Sequence, residues 1–532
     1  EGGPRVALDE GAAVGLRQRI ERRVEQLLYE HEVREAAHGI TKEQKPVEHA
    51  QQRPPAADHC APGDAARRAC ADLDAAFPRL LPQAISELTS LAPPDVARTV
   101  ASVRPAPHHV LAGLSGTDNG VHPSSQSTDT RFDLTAGIQT GFVAHEPFIE
   151  IRLIEWSPGA KSGRTVQHHR LRRRKTPDRS VAAVTSAAPG WFVQALSSPC
   201  PESEDDERGL RPTSGTAPAP WRLKAATLGN IATTVMDLFT AEEWNVGVAA
   251  GDAAQVFEPG LMRRVDWLPR NRSLTFRADP FGWRDDDGAT VLLYEAFDYR
   301  EGKGRIVRNI GGREDVIGDF PYHASYPFLF VKDGQRYAVP ELSEMACPAA
   351  FPVDTNSAPW TGEGIPLKGM EGVPLSDGTI FFHGDRYWLF GMYADQESNA
   401  ILHAWHAPDH FGSWTPHAGN PIKTDITCSR PGALPFDWQG HTIRPTQDCS
   451  TSYGAAIALN RIDVLTPTEF KETTIARVDP DPQTRYRHGV HTLNVVDGMI
   501  IVDAKRHVRH LLAPVYRWLR VQRSKRRAIV PS

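Results

Sequence analysis

Asp279, Glu295, Glu341, Asp377, Arg430, Asp448, His491 and Asp503 recur at the starts and ends of short apolar hairpins in the second half of this 532-residue chain. These residue types can do chemistry together. Paired carboxylates divide general-acid and general-base work, an arginine grips a carboxylate, phosphate or hydroxyl, and a histidine carries a proton near neutrality. Each hairpin opens on a polar or turn-breaking start: Asp279-Pro280-Phe281, Tyr326-Pro327-Phe328, Asp377-Gly378-Thr379, Arg430-Pro431-Gly432 and His491-Thr492-Leu493. It then runs through an apolar strand, turns at Asp287-Gly288, Asp333-Gly334, Gly384-Asp385, Gln439-Gly440 or Asp497-Gly498, and returns to a polar end. An antiparallel return brings the last residue of each hairpin back beside its first, so one rim is predicted to collect all eight groups. A single Asp before a turn ordinarily caps a strand end. Five coincident placements argue for a site.

The elements that would position such a rim follow from the spacing. Successive starts lie 47, 51, 53 and 61 residues apart. A period near fifty with hairpins inside it is the signature of propeller blades. The fold class predicted is therefore mainly β, a five-bladed propeller over residues 241–507, with the starting residues on the innermost strands. Trp405, Trp414 and Trp438 are expected to pack between blades. Upstream, residues 1–240 read as a divergent α/β region: an amphipathic helix over 12–36, a Pro-rich linker over 41–70, strands at 141–143 and 148–154, and a helix over 223–239 that leads into the β pattern. Residues 508–532 form a separate tail.

Composition bounds the function classes. The net charge is −5, 40% of residues are apolar and 23% charged, as in ordinary globular proteins. No run approaches the ~20 apolar residues of a membrane span. The six cysteines show no CxxC spacing, which argues against a zinc site and a disulfide framework, so a cytoplasmic location is expected, with no metal and no other cofactor. His403, His406, His410 and His417 read as solvent-exposed rather than as metal ligands. The basic run His169–Lys175 lacks adjacent stacking aromatics, reads as a solvated loop, and implies no nucleic-acid partner. The tail interleaves Val508, Leu511, Leu512, Val515, Trp518 and Leu519 with Arg509, Arg517, Arg520, Arg523, Lys525, Arg526 and Arg527. Such a segment suits the surface of an anionic membrane, making the protein peripheral to it, or packs against the protein's own N-terminal region.

The runs Ala278-Asp279-Pro280-Phe281, Tyr299-Arg300-Glu301-Gly302-Lys303-Gly304, His323-Ala324-Ser325-Tyr326-Pro327-Phe328, Ile443-Arg444-Pro445-Thr446-Gln447-Asp448-Cys449, Tyr453-Gly454 and Gly489-Val490-His491-Thr492-Leu493-Asn494 occur in order. Together they resemble the β-propeller of the glucosamine inositolphosphorylceramide transferase family, over about 244–506. The resemblance implies a bacterial arrangement in which a formyltransferase-like region precedes the propeller. His108-His109 and Asp118-Asn119 do not follow the order that formyl transfer needs, so that activity is not expected. In architecture the propeller also resembles five-bladed family 43 glycosidases. That resemblance implies Asp279 as general base and Asp377 as the carboxylate that tunes pKa. It puts Arg430 where a general acid should stand, leaving Glu341 or Asp448 as substitute.

Two readings follow. In the enzyme reading, a glycosidase-like hydrolase acts on a glycan or glycolipid, with Asp279, Asp377 and Glu341 catalytic and with Tyr326, Arg430, Arg444, Gln447, Asp448 and His491 binding substrate. In the other, the same rim is a non-catalytic glycan-binding or scaffold site, in which Arg430 and Arg444 grip an anion and Trp388 or Tyr326 stacks on a sugar face. The missing acid favours binding and the retained aspartates favour catalysis.

Overall fold

The computed structural model describes residues 109–113, 134–155, 164–181, four isolated positions between 183 and 191, and 218–515 except 346, 363 and 511. The expected helix over 12–36, the linker over 41–70 and most of the tail lie outside those residues.

Among the described residues His109–Gly113, Phe148–Glu155 and Arg164–Arg172 form a three-stranded sheet, and five antiparallel sheets carry the propeller. Four are local. The first blade runs Thr275–Arg284, Thr290–Asp298, Lys303–Ile310, Arg313–Gly318; the second, Ser325–Lys332, Gln335–Glu341, Ala349–Pro352, Ile365–Pro366. The third runs Leu375–His383, Arg386–Tyr393, Ile401–Ala407, Thr415–Pro416, and the fourth Phe436–Trp438, His441–Asp448, Ala456–Leu465, Phe470–Val478. The fifth is assembled from both ends of the domain: Leu493–Val496 and Met499–Arg509 pair with Thr240–Ala250, which pairs with Asp266–Trp267. This closure joins Thr240 to Arg509 and Ala250 to Met499, so the ring is locked by its own first long strand.

Local chemistry explains the inner hairpins. Asp333-Gly334, Gln439-Gly440 and Asp497-Gly498 each place two successive residues at positive φ, the backbone of a type I′ turn whose twist matches the strands. Gly384 alone is positive in the turn between His383 and Arg386, as a type II′ turn requires. Apolar residues of neighbouring blades meet in the gaps between them. Trp283, Val291 and Ile317 meet Phe351 and Ala338 between blades one and two; Phe328 and Val339 meet Leu389 and Trp405 between two and three. Phe390 and Leu402 meet Ile462 between three and four, Ile443 and Leu459 meet Val502 between four and five, and Val246 and Ile501 meet Leu292 between five and one. Trp405 and Trp414 are buried in such gaps as expected, and Trp438 stacks on Phe257 at 4.0 Å.

Several expectations are corrected. The histidines of the third blade are not solvent-exposed: His403, His410 and His417 are buried, and His410 lies between the rings of Phe330 and Tyr387 at 4.2 and 4.1 Å. His403 lies on the strand Ile401–Ala407 and His410 and His417 on the segments that follow it, where aromatic neighbours cover them. The basic run is not a loop. Arg164–Arg172 is a strand, Leu171 is buried, and Arg170 bridges Asp425 at 3.1 Å. Residues 141–143 end the helix Leu134–Val143 rather than forming a strand, while Phe148–Glu155 is a strand as read. A helix spans Pro220–Leu238, close to the expected 223–239.

Candidate functional site at one mouth of the propeller

The first three blades share one backbone device. In each inner strand the register slips by a bulge, between Ala278 and Phe281, Ser325 and Phe328, and Ser376 and Thr379. Inside each bulge one non-glycine residue takes a positive φ: Asp279 at 52°, Tyr326 at 43° and Asp377 at 49°. That conformation costs on the order of 1–2 kcal/mol for an L-residue and re-aims the side chain out of the pleat. Such strain persists where surrounding contacts over-determine it, commonly at functional sites. Arg430 and His491 stand just ahead of the short inner strands of blades four and five, so all five starts face one another.

One half of the mouth is centred on His491. Its Nδ1 lies 2.7 Å from Asp503 Oδ1 and its Nε2 lies 3.2 Å from Asp279 Oδ1. Asp503 also accepts the backbone N–H groups of His491, Thr492 and Asp279 at 3.1, 3.0 and 2.8 Å. The ring stacks on Trp244 at 4.0 Å. Burial works against the imidazolium, but Asp503 and Asp279 outweigh it and hold its pKa above the ordinary value. Burial pushes the Asp279 carboxyl up to about 6, with His491 pulling it down and Asp503 pushing it further up. By residue type Asp279, His491 and Asp503 would suit a metal ion. As the groups stand, both imidazole nitrogens face carboxylate oxygens, the arrangement of an imidazolium held between two carboxylates.

The other half is centred on Arg430. Its Nε lies 2.6 Å from Asp377 Oδ2 and its Nη2 lies 4.0 Å from Glu341 Oε2. Nη1 donates to Ser398 O and Asn399 Oδ1, both at 3.0 Å, and the guanidinium lies over the Tyr453 ring at 5.3 Å. Glu341 Oε2 accepts the Ser376 hydroxyl at 2.8 Å and the Asp377 N–H at 3.2 Å. Gln447 Nε2 donates to Asp377 Oδ2 at 2.9 Å and to Pro431 O at 2.8 Å. Those two contacts fix the amide's orientation, and Gln447 Oε1, also buried, finds no donor among the described residues. Burial raises the Asp377 carboxyl well above the usual carboxylate range against the pull of Arg430, and Glu341 and Asp279 raise it further.

Asp279, Glu341, Asp377, Arg430, Gln447, His491 and Asp503 are thus brought together, four carboxylates against two cations. Two other expected site residues, Arg444 and Asp448, are placed elsewhere, and a third, Tyr326, lies beside Asp377 with no open face. Arg444 is only 1% exposed, donates twice to Glu472 at 2.9 and 2.6 Å, and spends its remaining donors on Ser429 O and Cys428 O. Asp448 pairs with Arg477 on the outer strand and accepts the Ser450 N–H at 2.8 Å. Tyr326 is fully buried, with its hydroxyl 2.9 Å from Thr379 Oγ1 and its ring edge-on to Phe281, so no face is open for stacking. Trp388 is likewise buried in its blade, its indole N–H directed at His383 O. Glu295 belongs to the rim but faces His323 at 3.6 Å.

Sequence reasoning passed over two members of the site, Tyr453 and Trp244. Tyr453 comes from a loop of blade four and Trp244 from the closing strand. Both bracket His491, Tyr453 edge-on at 5.3 Å. The available signal was an aromatic directly before Gly454, whose positive φ of 57° and lack of a Cβ let His491 and Trp244 approach the backbone.

Comparison with known proteins agrees with the motifs. Residues 240–492 match the family model described as glucosamine inositolphosphorylceramide transferase 1, N-terminal. The chain is 29% identical over 263 residues to glucosamine inositolphosphorylceramide transferase 1 of Arabidopsis thaliana, covering 44% of this chain and 34% of that protein. It is 30% identical over 213 residues to the protein of the same name from Oryza sativa subsp. japonica, covering 38% and 28%. The chain therefore spans about a third of the length of the curated relatives it matches. Among solved structures it is similar to a family 43 β-xylosidase/α-arabinofuranosidase from a compost microbial metagenome, with 14% identity, 44% of this chain and 90% of that chain covered, and a TM-score of 0.30. At so low a score the propeller rests on the five sheets themselves. The family match begins at residue 240, and the formyltransferase-like expectation falls largely on residues outside those described.

Proposed function

We propose, taking the match of residues 240–492 to that family as premise, that the mouth recognises a carbohydrate headgroup, of a glycan or glycolipid, and holds it without cleaving it. The carrying observation is Arg430. It stands where the glycosidase resemblance places a proton donor, and a guanidinium cannot give up a proton near neutrality. It also lies between Asp377 and Glu341, while Glu341 Oε2 accepts the Ser376 hydroxyl and the Asp377 N–H. What the mouth lacks is donors. Gln447 Oε1 has no donor among the described residues, and two buried carboxyls are raised by burial first and by neighbouring carboxylates as well, against the pull of His491 and Arg430. Sugar hydroxyls supply hydrogen-bond donors in a fixed array, and the matched family is named for a transferase of glucosamine and inositolphosphorylceramide.

A hydrolase is the second reading, favoured by one observation: Asp279, pushed up to about 6, is poised to exchange a proton near neutrality. Calorimetry and reducing-sugar release with a panel of glycans decide between them. The binding reading expects a glycan whose affinity falls at least ~10-fold in Asp377→Asn, with no sugar released. Release that Asp279→Asn lowers by ~10²-fold or more would replace it with the hydrolase, and a panel in which no glycan binds would sink both.

We further propose that the tail makes the protein peripheral to an anionic membrane. Leu512 and Val515, where it leaves the propeller, are both exposed, and residues 510–532 contain six Lys or Arg and no Asp or Glu.

A further inference from the structure

Of the ten large apolar side chains exposed among the described residues, six lie where the chain enters and leaves the propeller: Trp221, Leu228, Leu238, Phe239, Leu512 and Val515. The rest are scattered over blades one to three. Among the described side chains of the helix Pro220–Leu238, the pattern is inverted for a surface helix. Ala226 is buried, while Trp221 and Leu228, two turns apart and so on one side, are 69% and 66% exposed. Arg222 and Lys224 follow Trp221 within one turn, and Asp237 is the helix's single acidic residue.

Topology puts this helix beside the tail and on the side of the mouth. The helix runs into the strand Thr240–Ala250, whose partner ends at Arg509, and His510 N donates to Phe239 O at 2.8 Å. Asp503 sits in the mouth cluster, and the turn at Asp497-Gly498 lies at the far end of its strand. From Asp503 to Arg509 the strand continues outward for six residues, about 20 Å at ~3.3 Å each. Helix end and tail start therefore leave together, past the mouth. Apolar side chains clustered with basic ones, in a segment whose tail carries no acid, complement an anionic bilayer rather than a protein of mixed charge.

We propose that the helix Pro220–Leu238 is a second membrane-docking element: it lies in the interface of an anionic bilayer with Trp221 and Leu228 inserted, and with the tail it turns the propeller mouth toward the lipid headgroups. The inference shares its bilayer with the tail reading and is independent of the glycan reading.

Co-sedimentation of the full chain with vesicles of phosphatidylcholine alone, and of phosphatidylcholine mixed with phosphatidylserine, tests it. The variants are Trp221→Ser/Leu228→Ser and a chain ending at residue 515. Binding is expected on the mixed vesicles only, weakened at least ~10-fold by the double substitution with the melting temperature unchanged. If the double variant binds as the parent does while truncation abolishes binding, the helix proposal is overturned and the tail reading stands. The reverse result keeps the helix and removes the tail. A parent that never sediments removes both. A double variant that loses several degrees of melting temperature, or that converts a dimer to a monomer in sedimentation equilibrium, shows that the protein's own chain or a second copy covers this face, and overturns the proposal.

Discussion

The strand His441–Asp448 carries two buried ionic systems on its two faces, and they are built to opposite ends. On one face Arg444 and Lys423 share Glu472, whose oxygens accept from Arg444 at 2.9 and 2.6 Å and from Lys423 at 2.7 Å. Burial alone would raise the Glu472 carboxyl, but the two cations outweigh it and hold it below the usual range. On the other face Gln447 reaches Asp377, whose carboxyl is raised, and its own Oε1 is left without a donor among the described residues. A buried charge system that exists only to hold the fold completes its pairs, since an unpaired buried charge costs several kcal/mol. The mouth leaves its acceptors in excess, the contrast on which the proposal of a ligand at that face rests.

The comparison breaks most directly at Glu472. Glu472→Gln removes the counter-ion shared by two buried cations, and a stability loss of ~3–5 kcal/mol is expected from denaturant unfolding at neutral pH. Because the Glu472 carboxyl is lowered in the folded state, its contribution is present above the ordinary glutamate pKa and is lost as pH falls below it. A loss under ~1 kcal/mol would show that this cluster is no more structural than the mouth.

The pH slope of Asp279 should run the other way. Its carboxyl rises from an ordinary 3.8 to about 6, so the folded state binds the proton more tightly than the unfolded chain does. Stability from this group is therefore greatest below about pH 4 and falls as pH climbs to about 6, by up to ~3 kcal/mol at 1.36 kcal/mol per pH unit. Asp279→Asn removes that slope. Relative to the parent, the variant is expected to gain stability steadily between pH 4 and 6 in parallel denaturation series, whatever its offset at the acid end. Two parallel profiles would contradict the excess of negative charge at the mouth.

Much of this was legible because it is local. The hairpins announce themselves through Asp-Gly and Gln-Gly turns and apolar runs, and a residue that opens such a hairpin must lie near the one that ends it, which brought Asp279, Glu341, Asp377, Arg430, His491 and Asp503 to one rim. The closing pair, Thr240–Ala250 with Met499–Arg509, was not, because no turn or period links residues some 250 positions apart. Asp448 was assigned to the site as the polar end of the fourth hairpin and Arg444 as a cation on the same strand. Strict alternation along the strand would have separated them from Gln447, since residues 444, 446 and 448 share one face and 447 lies on the other. The bulges that swing Asp279 and Asp377 inward depend on positive φ at non-glycine residues, a conformation that residue identity does not advertise.

Tyr326 gives the smallest test, because it takes the same strained bulge conformation as Asp279 and Asp377 but carries no carboxylate. Its hydroxyl meets Thr379 at 2.9 Å in a fully buried setting, and burial raises that hydroxyl's pKa well above its ordinary value, so it acts only as a neutral hydrogen-bonding group. Tyr326→Phe should cost ~1 kcal/mol for one lost hydrogen bond and leave glycan affinity within twofold of the parent. If affinity instead falls as far as in Asp377→Asn, the third strained position belongs to the binding surface after all, and the ligand reaches deeper into the channel than the Arg430 and His491 centres imply.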